Sequence, residues 1–152
     1  MSLRFEGRPF DGIDAEILRA LWAEGRISHA ELARRVGLSA PTVADRIKRL
    51  EDIGVIQGFG ARINPEALGY GLTIVIRAKP LPGEMANMAA VIDETPQIVA
   101  CDRVSGEDCF IARAHVRDVA EMEAVVDRLL PFGATNSAIV QSKPFDDRLV
   151  PL

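Results

Sequence analysis

The chain has little of what most protein chemistry is built from. It holds two cysteines, two histidines, one tryptophan and one tyrosine in 152 residues. Cys101 and Cys109 are too few for a disulfide framework, and reduced thiols in a cytoplasmic protein are the default expectation. His29 and His115 are the only imidazoles. Cys109 and His115 share strand parity, but two candidate ligands do not make a zinc site, so neither a metal nor another cofactor is expected. There is no glycine-rich phosphate loop, no G-x-S-x-G, and no nucleophile with a base nearby in sequence, so no catalytic residue is assigned. No apolar run is long enough to span a membrane, and nothing resembles a secretory signal. Met1-Ser2-Leu3 is compatible with an expression leader and is given no structural weight.

What is present is an ordinary globular balance, 48% hydrophobic and 26% charged residues. At this length the chain makes one domain or two small ones. The net charge of −4 argues against a nucleic-acid partner until its distribution is considered. Residues 1–64 carry ten Lys/Arg against nine Asp/Glu; residues 65–152 carry eight against thirteen. Within residues 26–49, Arg26, Arg34, Arg35, Arg46, Lys48 and Arg49 face only Glu31 and Asp45. A local excess of positive charge on a short segment is a plausible phosphate footprint, and an acidic remainder helps fix which face docks.

That segment, SHAELARRVGLSAPTVADRIKRLEDI over residues 28–53, reads as two short helices and a tight turn. Leu32, Ala33 and Val36 give the first an apolar side, and Gly37 suits the left-handed conformation that ends it. Ser39 is placed to cap the second helix, with Pro41 in its first turn where a missing N–H costs nothing. Val43, Ile47 and Leu50 form its inward stripe. The pattern predicts a helix-turn-helix whose second helix enters the DNA major groove; the bland alternative is a helical hairpin with a solvated basic face. Thr42, Arg46 and Arg49 are expected to face the groove or its walls, with Ser39, Ala40 and Pro41 close to the DNA at the helix start. Arg26, Ser28, Arg34, Arg35 and Lys48 complete the DNA-binding set. Asp45 is either a reader of cytosine or a brake on nonspecific affinity.

Upstream, Asp11 and Asp14 mark a helix start, Ile17, Leu18, Leu21 and Trp22 form its stripe, and Gly25 stops it. Trp22 is expected to anchor the core. Downstream, Gly54–Ile63 has β-branched and aromatic residues between glycines and suggests a short strand or wing. Asn64–Gly69 reads as a turn, and the boundary is placed there: 1–64 for DNA binding, 65–152 for dimerisation and effector binding.

The second part alternates by type. Strands are expected at Leu72–Lys79, Ile98–Val104, Phe110–Val116 and Ser137–Ser142. Helices lie within Glu84–Glu94 (Met85, Met88, Ala89, Ile92) and Asp118–Leu130 (Val119, Met122, Val126, Leu129). The order β-α-β-β-α-β is the ferredoxin-like plan, so the fold class is α+β: a (winged) helix-turn-helix domain followed by a ferredoxin-like domain. One sheet face would lack helices yet carry Val75 and Ile111, and a homodimer packed sheet against sheet is the economical explanation. Two recognition helices would then lie about one helical turn apart, matching a palindromic site.

From about Asp11 to about Lys143 the chain resembles the leucine-responsive regulator/AsnC, or feast/famine, family of transcription factors. The resemblance rests on D-x-x-D-x-x-I-L at Asp11–Leu18, G-R-I-S at Gly25–Ser28, E-L-A-R-R-V-G-L-S at Glu31–Ser39, R-I-K-R-L-E-x-x-G-V-I at Arg46–Ile56 and V-S-G-E-D at Val104–Asp108. It implies a sequence-specific DNA-binding regulator of transcription that pairs through its second domain, with tetramers or octamers beyond the dimer, and no enzyme. It also implies an effector, an amino acid or related small acid, near the glycine loop. The effector set is then Ser105, Gly106, Glu107, Asp108 and Cys109, with Thr135, Asn136 and Ser137 from the segment near the ligand in that family. Gly106 lets backbone approach a ligand, and its amide suits a carboxylate. The family loop often has an acid where this chain has Cys109, which cannot accept an ammonium group as a carboxylate does. Two alternatives remain: a haem-precursor decarboxylase-like relative, or a ferredoxin-like metabolite sensor with a degenerate DNA-binding head.

Overall fold

Each helix near the start of the chain begins where a side-chain oxygen can take the free amides of a first turn. In the computed structural model, which describes residues 10–152, α1 spans Gly12–Ala23 and is closed by a capping box: Asp11 accepts from the Asp14 amide at 2.9 Å, and Asp14 accepts from the Asp11 amide at 3.1 Å. Ser28 caps α2, His29–Val36, and Ser39 caps α3, Ala40–Asp52. Gly37 ends α2 at φ 69°, the left-handed turn expected of it. Ile17, Ile27, Leu32, Ala33, Val43 and Ile47 form the core these helices share. The reading of Met1–Leu3 lies outside the described residues.

The chain divides into two units, one running to Arg62 and rejoined by Asp147–Leu152, the other Ile63–Asp146. The last six residues therefore lie with the helical unit rather than with the sheet.

The second unit opens with a single 3-10 turn, Glu66–Leu68. It then runs β1 (Leu72–Pro80), α4 (Met85–Asp93), β2 (Ile98–Arg103), β3 (Phe110–Val116), α5 (Val119–Leu129) and β4 (Gly133–Ile139). The strands pair antiparallel in the order β2-β3-β1-β4, the ferredoxin-like arrangement. Period-two burial is strict on the central strands. Ile74, Ile76 and Ala78 of β1 and Phe110, Ala112, Ala114 and Val116 of β3 pack with Met88, Ile92, Val125 and Leu129 of the helices. Thr73, Val75, Arg77 and Lys79 of β1 and Ile111, Arg113 and His115 of β3 take the opposite face by register. That face is more charged than Val75 and Ile111 alone suggest.

Four expectations need correction. Gly54–Ile63 forms no strand: among the described residues nothing pairs with it, and a lone strand cannot satisfy its own backbone. Trp22 is not a core anchor but 50% exposed, because the stripe of α1 turns inward at Ala15, Ile17 and Leu18. On α5, Met122 and Leu129 face inward as expected, but Val125 is buried where Val126 was expected and Val119 is exposed. The last strand begins four residues earlier than expected, directly after a 3-10 turn at Leu130–Phe132.

Gly133 starts that strand against β1. A Cβ added there would lie 2.2 Å from the Lys79 carbonyl oxygen and 2.8 Å from the Pro80 Cα. Both are backbone atoms of a paired strand and cannot swing away. Gly133→Ala is therefore expected to destabilise by about 1–3 kcal/mol, as overpacking does, and thermal melting measures it; an unchanged midpoint would show that β4 can slide free of β1.

Candidate functional site

The α2–turn–α3 unit has one buried and one open side. Val43 and Leu50 of α3 are wholly buried and Ile47 nearly so. Pro41, Thr42, Asp45 and Lys48 are exposed, at the three- and four-residue spacings that define one flank of a helix. At the helix start the Ser39 hydroxyl accepts from the Thr42 amide at 3.3 Å and lies 2.7 Å from the Thr42 hydroxyl. Ser39, Pro41 and Thr42 thus present the start of the helix on the same side as Asp45 and Lys48, while Ala40, expected close to the DNA, packs against the core.

Arg46 and Arg49 behave differently from expectation. Asp14 is fully buried in α1. Arg46 donates to Asp14 and to Asp11, each at 2.8 Å, and Arg49 donates to the second Asp14 oxygen. The sequence reading turned both arginines toward the groove; the structure pairs both with the start of α1. The reason is the cost of a carboxylate withdrawn from water, which must be met by charge and hydrogen bonds. Positions 46 and 49, one turn apart, lie on the flank of α3 that faces it. The Asp11 carboxyl is held below the ordinary carboxylate range, first by the Asp14 amide and then by Arg46. The guanidinium of Arg46 is raised in turn by Asp11 and Asp14.

The other cations are paired on the surface. Glu31 accepts from Arg34 and, at 3.2 Å, from Arg35, which also lies 3.7 Å from Glu24. Lys48 reaches both Asp52 oxygens at 3.1 Å. Ser28 spends its hydroxyl on the Glu31 amide, and Arg26 is exposed beside it. Exposed pairs of this kind are worth about 0–1 kcal/mol and are readily exchanged. A phosphate can therefore take Arg34, Arg35 or Lys48 at small cost, whereas drawing Arg46 away leaves the buried Oδ1 of Asp14 without its guanidinium.

In the sheet unit, Ser105–Asp108 joins β2 to β3. The Val104 amide donates to the Cys109 carbonyl at 2.9 Å and the Cys109 amide to the Ala78 carbonyl at 3.1 Å, which fixes the hairpin end to β1. Gly106 sits at φ 124°, and an added Cβ would meet nothing within 4 Å. On β4, Asn136 pairs with Arg77, which pairs on its other side with Ile111 of β3. The Arg77 guanidinium lies 3.7 Å from the Asp108 carboxylate. The loop and β4 thus meet the same stretch of β1, with Arg77 between them.

Sequence reasoning missed Arg77; the available signal was a charge at the odd parity of an otherwise apolar strand. The structure also splits the β4 trio: Asn136 shares the Arg77 face, whereas Thr135 and Ser137 pair with Ala78 and Ile76 on the helix-bearing face. Cys109 packs against the hydrophobic core, away from a polar role. His115 lies at the far end of β3 from Cys109, about 20 Å along the strand. Its Nδ1 is 3.0 Å from the Thr73 hydroxyl, and burial, then Arg113, lowers its pKa.

Known proteins share this organisation. Residues 10–57 match the winged helix-turn-helix DNA-binding family, and residues 73–150 match the Lrp/AsnC ligand binding domain. The HTH-type transcriptional regulator LrpA of Mycobacterium tuberculosis is 35% identical over 141 residues, covering 91% of this chain and 94% of that one. The feast or famine regulatory protein of M. tuberculosis, solved complexed with L-methionine, superposes with a TM-score of 0.84 at 34% identity over 92% of this chain and 97% of that one. A transcriptional regulator of Neisseria meningitidis, also a complex with L-methionine, gives 0.87 at 28% identity over 93% and 96%.

Arg46→Ala is expected to cost about 1–3 kcal/mol, because it leaves a buried acceptor short of a partner. Lys48→Ala should stay within about 0.5 kcal/mol. Denaturant melts of the two variants check this. The depressed Asp11 pKa sets the sign with pH: its contribution is full above about pH 4 and is lost as the pH falls through the lowered value. An Asp11→Ala variant should therefore melt closer to the parent at pH 3 than at pH 7.

Proposed function

The chain belongs to the Lrp/AsnC family of transcriptional regulators, and on that premise we propose how it works: α3 reads double-stranded DNA, and a small effector, an amino acid or related acid, acts through the sheet unit. The observation that carries the DNA reading is the open flank of α3, where Pro41, Thr42, Asp45 and Lys48, with Ser39 at its cap, stand opposite the buried Val43, Ile47 and Leu50, while Ala40 packs on the core side. Ser39–Thr42 and Asp45 are the base-side candidates. Arg26, Ser28, Arg34, Arg35 and Lys48 supply contacts to phosphate, and Arg46 and Arg49 hold the helix at the angle the others need. An enzyme has no need of such a face, which favours a regulator acting in the cytoplasm over the decarboxylase-like alternative. No described helix is long and apolar enough to cross a membrane.

For the effector, the supporting features are Gly106, Glu107 and Asp108 at the hairpin tip, with Arg77 and Asn136 beside them on β1 and β4. An Arg flanked by an acid suits a ligand that carries both an ammonium and a carboxylate. The two relatives solved with L-methionine support the ligand class. Assembly follows from the open sheet face, where Val75 and Ile111 lie among charges: a homodimer through that face is the base unit, with tetramers or octamers built on it.

Band shifts on genomic fragments test the DNA reading. Arg34→Ala and Lys48→Ala should weaken binding to all sequences alike and each lower the salt slope by about 1. Substitution of Thr42 by Val should instead change which fragments are preferred. Full affinity in all three would remove α3 from the DNA. Calorimetry with L-methionine and the other amino acids tests the effector; binding that survives both Gly106→Trp and Arg77→Ala places the ligand elsewhere. Light scattering of the full chain should give at least twice its 16.5 kDa mass.

A further inference from the structure

The helical unit is built from two stretches of chain separated by the whole sheet unit. Its returning stretch does not merely pass over the surface. An apolar cleft of about 310 Å³ is walled by Leu18, Leu21 and Trp22 of α1, by Ile56 and Phe59 beyond α3, and by Leu149 of the tail. The far wall is held in place: the amides of Val55 and Ile56 both donate to the Leu50 carbonyl, at 2.9 and 3.0 Å. Leu149 and Leu152 are half-buried, while Val150 and Pro151 between them are exposed. The Arg19 guanidinium, on α1, lies 3.5 Å from the Leu152 carbonyl oxygen. The tail thus presents an apolar side to α1 and an open side to water.

We infer that Asp147–Leu152 is a strap docked on the helical unit, with Leu149 as its anchor in the cleft and Leu152 held at Arg19. Without it, Trp22 and Phe59, already 50% and 55% exposed, would border an open apolar groove. Docking by packing alone holds the tail that follows β4, beyond 140–146, to the helical unit. The inference rests on the packing of the tail alone and holds whether or not an effector binds near Asn136.

Trp22 is the chain's one tryptophan, so its emission reports on this cleft. In the full-length protein, Leu149→Asp should shift Trp22 emission to longer wavelength, raise its quenching by acrylamide and lower the melting midpoint followed at Trp22. A chain ending at Asp146 should do the same. Val150→Asp, at a position 70% exposed, should leave all three as in the parent. Emission and quenching unchanged in both Leu149→Asp and the shortened chain would overturn the strap, and so would an equal response to Val150→Asp. If Leu149→Asp unfolds the unit, Leu149→Ala against Val150→Ala makes the same comparison, with the same two outcomes.

Discussion

Asp14 is a carboxylate with no water to face. Everything on the reading side of the helical unit depends on how its charge is met. One oxygen takes Arg46, the other takes Arg49 and the Asp11 amide. A buried ion pair is weak evidence of stability, since apolar residues of the same volume often do as well. Its value is in what it forbids. A rotation of α3 that swung Arg46 and Arg49 away would leave a buried charge alone, so the pairing sets the angle of the recognition helix to α1. The capping box and the ion pairs share the same two aspartates, so helix start and helix orientation are fixed by one cluster.

This changes which cations count. The basic residues that looked alike in sequence fall into two groups once their partners are known. Arg34, Arg35 and Lys48 hold exposed carboxylates that water and salt already compete for, and a phosphate can replace them. Arg46 and Arg49 hold a fully buried carboxylate whose only other partner among the described residues is the Asp11 amide. On the proposed DNA reading, the first group sets affinity and salt dependence. The second sets geometry, and its loss is felt as instability before it is felt as weaker binding.

The sheet unit follows the same logic on a different scaffold. β1 is central in the sheet, so its even residues are core and its odd residues face outward. Arg77 is one of those odd residues, and the antiparallel register brings Asn136 to one side of it while the hairpin end brings Asp108 to the other. These groups are far apart in sequence, and no spacing rule joins them.

The sequence by itself determined the helices of both units and the four strands of the sheet, but not the absence of the strand expected at Gly54–Ile63. Ser39, Pro41, Gly37 and the Val43–Ile47–Leu50 stripe define the helix pair, because caps, breakers and periodicity act within a few residues. The β-α-β-β-α-β order came through for the same reason. What failed locally was phase where a window was short: the stripe of α5 was read one residue off at Val125, and the start of β4 came late because the close approach at Gly133 leaves no local mark. What only the tertiary structure decided was partnership. That Arg46 and Arg49 belong to Asp14, that Arg77 stands between Asp108 and Asn136, and that Leu149 returns to Trp22 are facts about residues brought together across 31 to 127 positions of chain. Hydrophobic periodicity says which way a residue faces, and only packing says what it meets there.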